Sequence, residues 1–283
     1  MKLKLVKSFW GMTGSWEEKF HRIADAGYVA VEGQPPTSPG EAELFKRLLR
    51  DHRLDYVAMV ISEGAGFQEH LASFHAKIEA ARSFNPLKMT VHGGKDWWPF
   101  YTQRAFFAEA LGVERRIGLE VNHETHRGRP MFTPAATAAF LHEFPELRIN
   151  ADFSHFVNVC ESLLEDQTEA MALCIARARH IHGRIGHEEG PQVNDPRAPE
   201  WSRQVAAHEA WWDEIVRARL KSGAEHFTFN PEFGPPNYMP TLPHTCQPVA
   251  DLWEVCLWMA KRFERRYGEL MAEFIERFST EAQ

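Results

Sequence analysis

At 283 residues with 44% hydrophobic side chains, the chain is long for one ordinary domain, normal for one barrel, and apolar enough for a large buried core. A net charge of −7 gives no electrostatic case for a nucleic-acid partner, and no window approaches the ~18–20 apolar residues of a membrane span. The four cysteines, Cys160, Cys174, Cys246 and Cys256, lack CxxC spacing, so free thiols and a cytoplasmic location are expected instead of a disulfide framework or zinc knuckle.

Short apolar or alternating runs recur, each followed by a polar or glycine-containing turn and then a helical pattern. The first, KLVKSF (4–9), lies in MKLKLVKSFWGMTGS, whose scattered lysines interrupt any apolar core, so it reads as a strand and not a signal peptide. A helix over 15–26 follows, then YVAVEG (28–33) and a helix over 40–52. LDYVAMV (54–60) leads to a helix over 66–84, and LKMTVHG (87–93) to the helically spaced WPFYTQRAFFAEALGVERR. IGLEVNHE (117–124) precedes a helix over 133–144, LRINADF (147–153) one over 158–177, and HIHGRIG (180–186) one over 200–221. HFTFNPEF (226–233) is the last strand run, and Cys246 to about Phe278 is a long amphipathic helical stretch.

Eight strand candidates alternating with helices argue for parallel βα units. Eight units close naturally into a (β/α)8 TIM barrel of the α/β class. A doubly wound open sheet fares worse, because no GxGxxG or P-loop follows the first strand. No linker or repeat divides the chain, so 1–283 reads as a single domain with a long C-terminal helical segment. Proline and glycine clusters at 34–40, 190–199 and 231–243 follow strands and read as loops of the active face.

Functional residues of such a barrel sit at the C-terminal ends of its strands. Those positions hold Glu32, His92, Glu124 with His126 just beyond, Asp152 with His155, His182 and Arg184 with His187 and Glu188 beyond, and Glu232. Alternate strand residues share a face, so Glu120, Asn122 and Glu124 point one way, as do His180, His182 and Arg184, while His123 points away. His180 begins its strand and reads as structural. Buried carboxylates and imidazoles at a barrel mouth are costly unless paired. A divalent cation would pair them: two Glu, one Asp and one His suit Mn2+, Mg2+, Co2+ or Zn2+. Trp10, Phe67, Trp97 and Trp98 follow strand ends and offer an apolar wall, and Gly183 and Gly186 let the chain turn. The charged run Glu114, Arg115 and Arg116 reads as a solvated helix end.

The segments GLEVNHETH, NADFSH, HIHGRIG and FNPEFG, spread over 118–234, resemble the xylose isomerase-like TIM-barrel superfamily. That group includes ketose 3-epimerases, hydroxypyruvate isomerases, inosose dehydratases and, distantly, endonuclease IV. The resemblance implies one divalent metal held by Glu124, Asp152, His182 and Glu232. It places His155 of the D-x-x-H motif toward the substrate. Two departures stand out. Strand 3 ends VISEG without a histidine and VNDPRAP replaces D-x-H, so the trinuclear cluster of the endonucleases looks incomplete. HGRIGHEEGPQV also differs from the usual strand 7 ending of the epimerases.

The expectation is a metal-dependent isomerase or epimerase of a small carbohydrate or polyhydroxy carbonyl compound, acting through an enediolate. Glu124 and Glu232 are its candidate proton carriers. His92, His155, Arg184, His187 and Glu32 are candidate substrate contacts. A metal-dependent lyase, either a dehydratase or a β-eliminating deglycosidase of 3-keto-glycosides, is the alternative; a phosphoesterase or a non-catalytic binding barrel ranks lower. The partners expected are a sugar-like small molecule, with assembly into a homo-oligomer left open, and neither nucleic acid nor membrane.

Overall fold

The computed structural model of the chain describes residues 1–281. Eight strands form one closed, wholly parallel barrel in sequence order: β1 (Lys2–Ser8), β2 (Ala30–Gly33), β3 (Asp55–Ile61), β4 (Lys88–His92), β5 (Val121–Glu124), β6 (Ile149–Ala151), β7 (Ala178–His182) and β8 (His226–Asn230), with β8 pairing back onto β1. This is the (β/α)8 barrel expected from the alternation of patterns.

The helices pack outside. They are α1 (Trp16–Asp25), α2 (Pro39–His52), α3 (Phe67–Arg82), α4 (Phe100–Ile117), α5 (Pro134–Glu143), α6 (Ser154–Cys160), α7 (Thr168–Arg177), α8 (Ser202–Lys221) and α9 (Leu252–Glu281). Local chemistry sets several of their starts. Ser15 caps α1 and Glu18 reaches back to close the capping box. Ser38 and Thr133 cap α2 and α5, each followed by a proline at the first turn, where its missing N–H costs nothing. Gly118, at φ 66°, ends α4 in the left-handed conformation.

Two boundaries depart from the sequence reading. The helix expected over 158–177 is two helices, because Glu161 (φ 49°) and Leu164 (φ 63°) turn the chain in the left-handed region after α6. The C-terminal helix begins at Leu252; before it, residues 241–248 form a small bridged loop that carries Cys246.

The large apolar core lies between the strands and the helices. Leu5, Val31, Val60, Val91, Ile149, Ile181 and Phe229 supply its strand side. The barrel interior is different. Val6, Ala30 and Val57 make a small apolar cluster on β1–β3. Thr90, Asn122, Asn150, His180, Thr228 and Asn230, on β4–β8, are buried polar side chains. The sheet register places Thr90 beside Asn122 and His180 beside both Asn150 and Thr228. The interior thus has an apolar half and a polar half, and the polar half rises to the mouth. No helix of the described residues is long and apolar enough to cross a membrane.

Candidate active site

The C-terminal ends of β5–β8 converge. β5 ends on Glu124, Asp152 directly follows β6, β7 ends on His182, and Glu232 lies just past β8. One donor atom of each lies within 4.8 Å of the other three, and all four side chains are buried. His182 Nδ1 is 2.9 Å from Glu232 Oε2 and 3.2 Å from Glu124 Oε2. Arg184 comes next, in a three-residue turn whose N–H donates to the His182 carbonyl at 3.0 Å. Its guanidinium donates through Nε at 3.1 Å and through Nη2 to Asp152 Oδ2, and Nη2 also donates to Glu232 Oε2 at 3.1 Å. The Ser154 N–H (3.2 Å) and hydroxyl donate to the other Asp152 oxygen.

Three buried carboxylates at this spacing repel one another and need cations. Arg184 is one. Burial alone would lower the pKa of His182, but the carboxylates of Glu232, Glu32 and Glu124 hold it well above the ordinary histidine value. Burial would likewise raise Glu124, yet His92 and His182 outweigh it and keep its carboxyl well below the usual range. The donor set fits a divalent cation. Glu124 Oε1 and His182 Nδ1 are buried without a hydrogen-bond partner, while His182 Nε2 is engaged 3.0 Å from Glu32 Oε2. Open carboxylate oxygens around an uncommitted imidazole nitrogen are the ligands that Mg2+, Mn2+, Co2+ or Zn2+ takes.

A cavity of about 390 Å3 opens at the mouth. Its polar wall carries His92, Glu124, His126, Arg184 and Glu232; its apolar wall carries Phe9, Trp10, Met59, Ile61 and Tyr238. Trp10 and Tyr238 meet edge to face at 5.0 Å. The Arg184 guanidinium lies 4.7 Å from the Tyr238 ring and 5.7 Å from that of Trp10, and its Nη1 has no partner. A row of imidazoles flanks the quartet. His92 Nε2 is 2.6 Å from Glu124 Oε2, the rings of His92 and His126 are 4.7 Å apart, and those of His126 and His155 are 3.9 Å apart. His126 Nδ1 donates to the Arg127 carbonyl, which leaves Nε2 as an acceptor. Burial, with His92 beside it, lowers the His126 pKa to about 3. Burial, then His126 and Arg184, also lowers His155 well below the ordinary value. Both rings are therefore neutral near pH 7.

The residues singled out in the sequence do not all meet. His92 and Arg184 border the cavity. His155 is wholly buried 3.6 Å from Asp152 Oδ2, with neither ring nitrogen hydrogen-bonded. Glu32 lies below the quartet, fully buried, where His180, His182 and Asn230 converge on its Oε2. His187 turns away: its backbone bridges to Gly190 and its ring lies 4.9 Å from Trp201. His126 lines the cavity although only its place after β5 marked it in the sequence, and Tyr238 arrives from the loop after β8 with no motif to announce it. His123 points outward to Glu114 Oε1 at 2.8 Å, so Glu114 is a buried partner and not part of a solvated helix end. Of the four aromatics considered for a wall, Trp10 lines the cavity; Trp98 packs on Phe67 and His70, and Trp97 is exposed.

Known proteins echo this architecture. No curated protein matches the chain. Among solved structures, a D-tagatose 3-epimerase-like protein superposes with a TM-score of 0.63 at 14% identity, over 97% of this chain and 100% of that one. A probable 3-DHS dehydratase from Bacillus anthracis gives 0.62 at 15% identity, over 92% and 98%. A xylose isomerase-like TIM barrel protein from Mycobacterium smegmatis, in complex with magnesium, gives 0.61 at 14%, over 94% and 97%. At these identities the likeness is one of fold. The model of one family, described as xylose isomerase-like TIM barrel, matches residues 20–225. With that match, the closed barrel and the ligand-type residues at its strand ends, the chain belongs to the xylose isomerase-like TIM barrel family.

Proposed function

We propose that the protein is a metal-dependent isomerase or epimerase of a small carbohydrate or related polyhydroxy carbonyl compound. The observation that carries this reading is the buried quartet Glu124, Asp152, His182 and Glu232 at the base of a cavity with one polar and one apolar wall. Its relatives by fold include an epimerase-like protein, a dehydratase and a magnesium-bound barrel, which is the chemistry such a quartet serves. A divalent ion there would draw the carbonyl and neighbouring hydroxyl oxygens of the substrate and stabilise negative charge as the adjacent C–H proton leaves.

The protein's own groups do the rest. Glu124 and Glu232 come from β5 and β8 and both border the cavity, so a substrate between them has a carboxylate on either side to take up or return a proton. Passage through an enediolate needs only that transfer. Arg184 Nη1 is free to hold an oxygen of the substrate, and Trp10 and Tyr238 give its C–H face an apolar seat. A β-elimination on the same scaffold is the second reading. The contact of His92 with Glu124 at the cavity favours it, since a leaving hydroxyl or aglycone must take up a proton as it departs.

The test uses protein reconstituted with Mn2+ and a panel of ketoses, keto-acids and 3-keto-glycosides in deuterated water. The expected result is one ion per chain and deuterium carried into substrate or product. Glu232→Gln should stay folded and metal-loaded while exchange falls by about 100-fold or more, because an amide cannot carry the proton. Wild-type exchange in that variant, or no metal uptake by the wild type, would refute the reading.

A further inference from the structure

We infer that Glu32 is a positioning residue for the proposed metal site, fixing which ring nitrogen of His182 faces the carboxylates. The inference rests on the proposed metal quartet. It starts from a convergence of donors on one oxygen deep in the barrel. His182 Nε2 lies 3.0 Å from Glu32 Oε2, His180 Nε2 lies 3.1 Å from it, and the Asn230 amide donates to it at 2.8 Å. These groups come from β2, β7 and β8, and all are fully buried. A carboxylate oxygen only accepts, so the proton of the shared contact sits on His182 Nε2.

The other nitrogen is then the one that gives up its proton when a metal binds. His182 Nδ1 is 2.9 Å from Glu232 and 3.2 Å from Glu124, yet makes no hydrogen bond to either. Once that proton has left, its lone pair faces an electrophile held among the three carboxylates. If the neutral ring kept its one proton on Nδ1 instead, that nitrogen would donate to Glu124 or Glu232, and His182 would leave the donor set. A metal-binding histidine is commonly held by a carboxylate on its other nitrogen, and Glu32 is placed for that task. The Asn230 amide fixes the carboxylate: its nitrogen is spent on Glu32, and its backbone carbonyl receives the Gly183 N–H at 2.7 Å, tying β8 to the turn beyond His182. Glu32 does not border the cavity, so it acts through His182 and not on the substrate.

Two measurements test this. Long-range 15N–1H correlation on histidine-labelled, metal-free protein, at a pH high enough for the His182 ring to be neutral, reports its tautomer, and calorimetric titration with Mn2+ reports affinity. The wild type should show the proton on Nε2. Glu32→Gln should mix the tautomers and weaken the Mn2+ Kd by about 10–100-fold, with the melting temperature of the metal-free protein recorded alongside. If Glu32→Gln does not fold, Glu32→Asp, which withdraws the acceptor by one methylene, should show the same two losses. An unchanged tautomer together with a Kd within about twofold of wild type, in whichever variant folds, overturns the inference. Failure of the wild type to take up Mn2+ would instead strike the proposed metal, and the tautomer would still decide the role of Glu32.

Discussion

Arg184 carries two loads at once. Its Nε and Nη2 hold Asp152 and Glu232 in place, while Nη1 points at no protein group and the guanidinium plane lies beside Tyr238. Only a planar fork can bridge two carboxylates and keep a third donor free; a lysine is a point charge on a flexible stem. Arg184→Lys should therefore retain one equivalent of metal but raise KM by about 10–100-fold, the loss of one hydrogen bond to a charged donor of about 1.5–3 kcal/mol. Steady-state kinetics with metal analysis on the same samples gives the answer. Metal lost with KM unchanged would mean that Arg184 serves the ligands alone.

The turn that follows β7 approaches β8 and α6 closely and is tied to α8 by a hydrogen bond. A side chain on Gly183 would lie 2.1 Å from Phe229 Cζ, and one on Gly186 would lie 2.7 Å from the Ser154 carbonyl. These glycines matter as much for contact as for turning. The Gly186 N–H donates to His208 Nε2 at 3.3 Å, and His208 Nδ1 donates to the Gln204 carbonyl at 2.8 Å. Burial lowers the pKa of His208 to about 4. The folded protein keeps this ring neutral, whereas the unfolded chain protonates it near the ordinary histidine value of about 6.5. The stabilisation is therefore complete above about pH 6.5 and is lost as pH falls toward about 4. Between pH 7.5 and pH 5 it should cost about 2 kcal/mol. Urea unfolding at both pH values should show that difference shrinking by a similar amount in His208→Gln; an equal difference in the variant would assign it to other groups.

At the scale of the molecule, α9 closes the barrel where its last strand meets its first. Phe263 stacks on Phe229 of β8 at 3.7 Å and 5°, and the Tyr267 hydroxyl donates to the Met1 carbonyl at 2.6 Å. Arg262 grips Glu209 and Arg266 grips Asp213 of α8, each through two hydrogen bonds, and both carboxylates are nearly buried. Arg266→Ala strands Asp213 with only a distant contact to Arg217 at 3.9 Å. The variant should lose about 1.5–3 kcal/mol in denaturant titration and keep its metal content, since among the described residues no hydrogen bond or ion pair joins Arg266 to the quartet. A loss of metal at unchanged stability would show that α9 shapes the mouth directly.

The alternation of strand and helix patterns determined the barrel, because burying eight parallel strands under amphipathic helices leaves few other arrangements. Strand ends could be read from the same pattern, and the resemblance singled out Glu124, Asp152, His182 and Glu232 among them; the closed barrel brings donor atoms of these four within 4.8 Å of one another. Residues whose role depends on a partner across the barrel were not. Glu32 and His180 are distant in sequence and meet inside the closed sheet, so one of them read as a mouth residue and the other as an isolated structural histidine. His187 lies on the loop of the site yet faces Trp201, because the loop folds back on itself at Gly190. The break between α6 and α7 depends on non-glycine residues in left-handed conformation, which local composition does not announce. Period and residue type act along the chain and can be read from it; the meeting of side chains from β2, β7 and β8 on one carboxylate oxygen exists only once the barrel has closed.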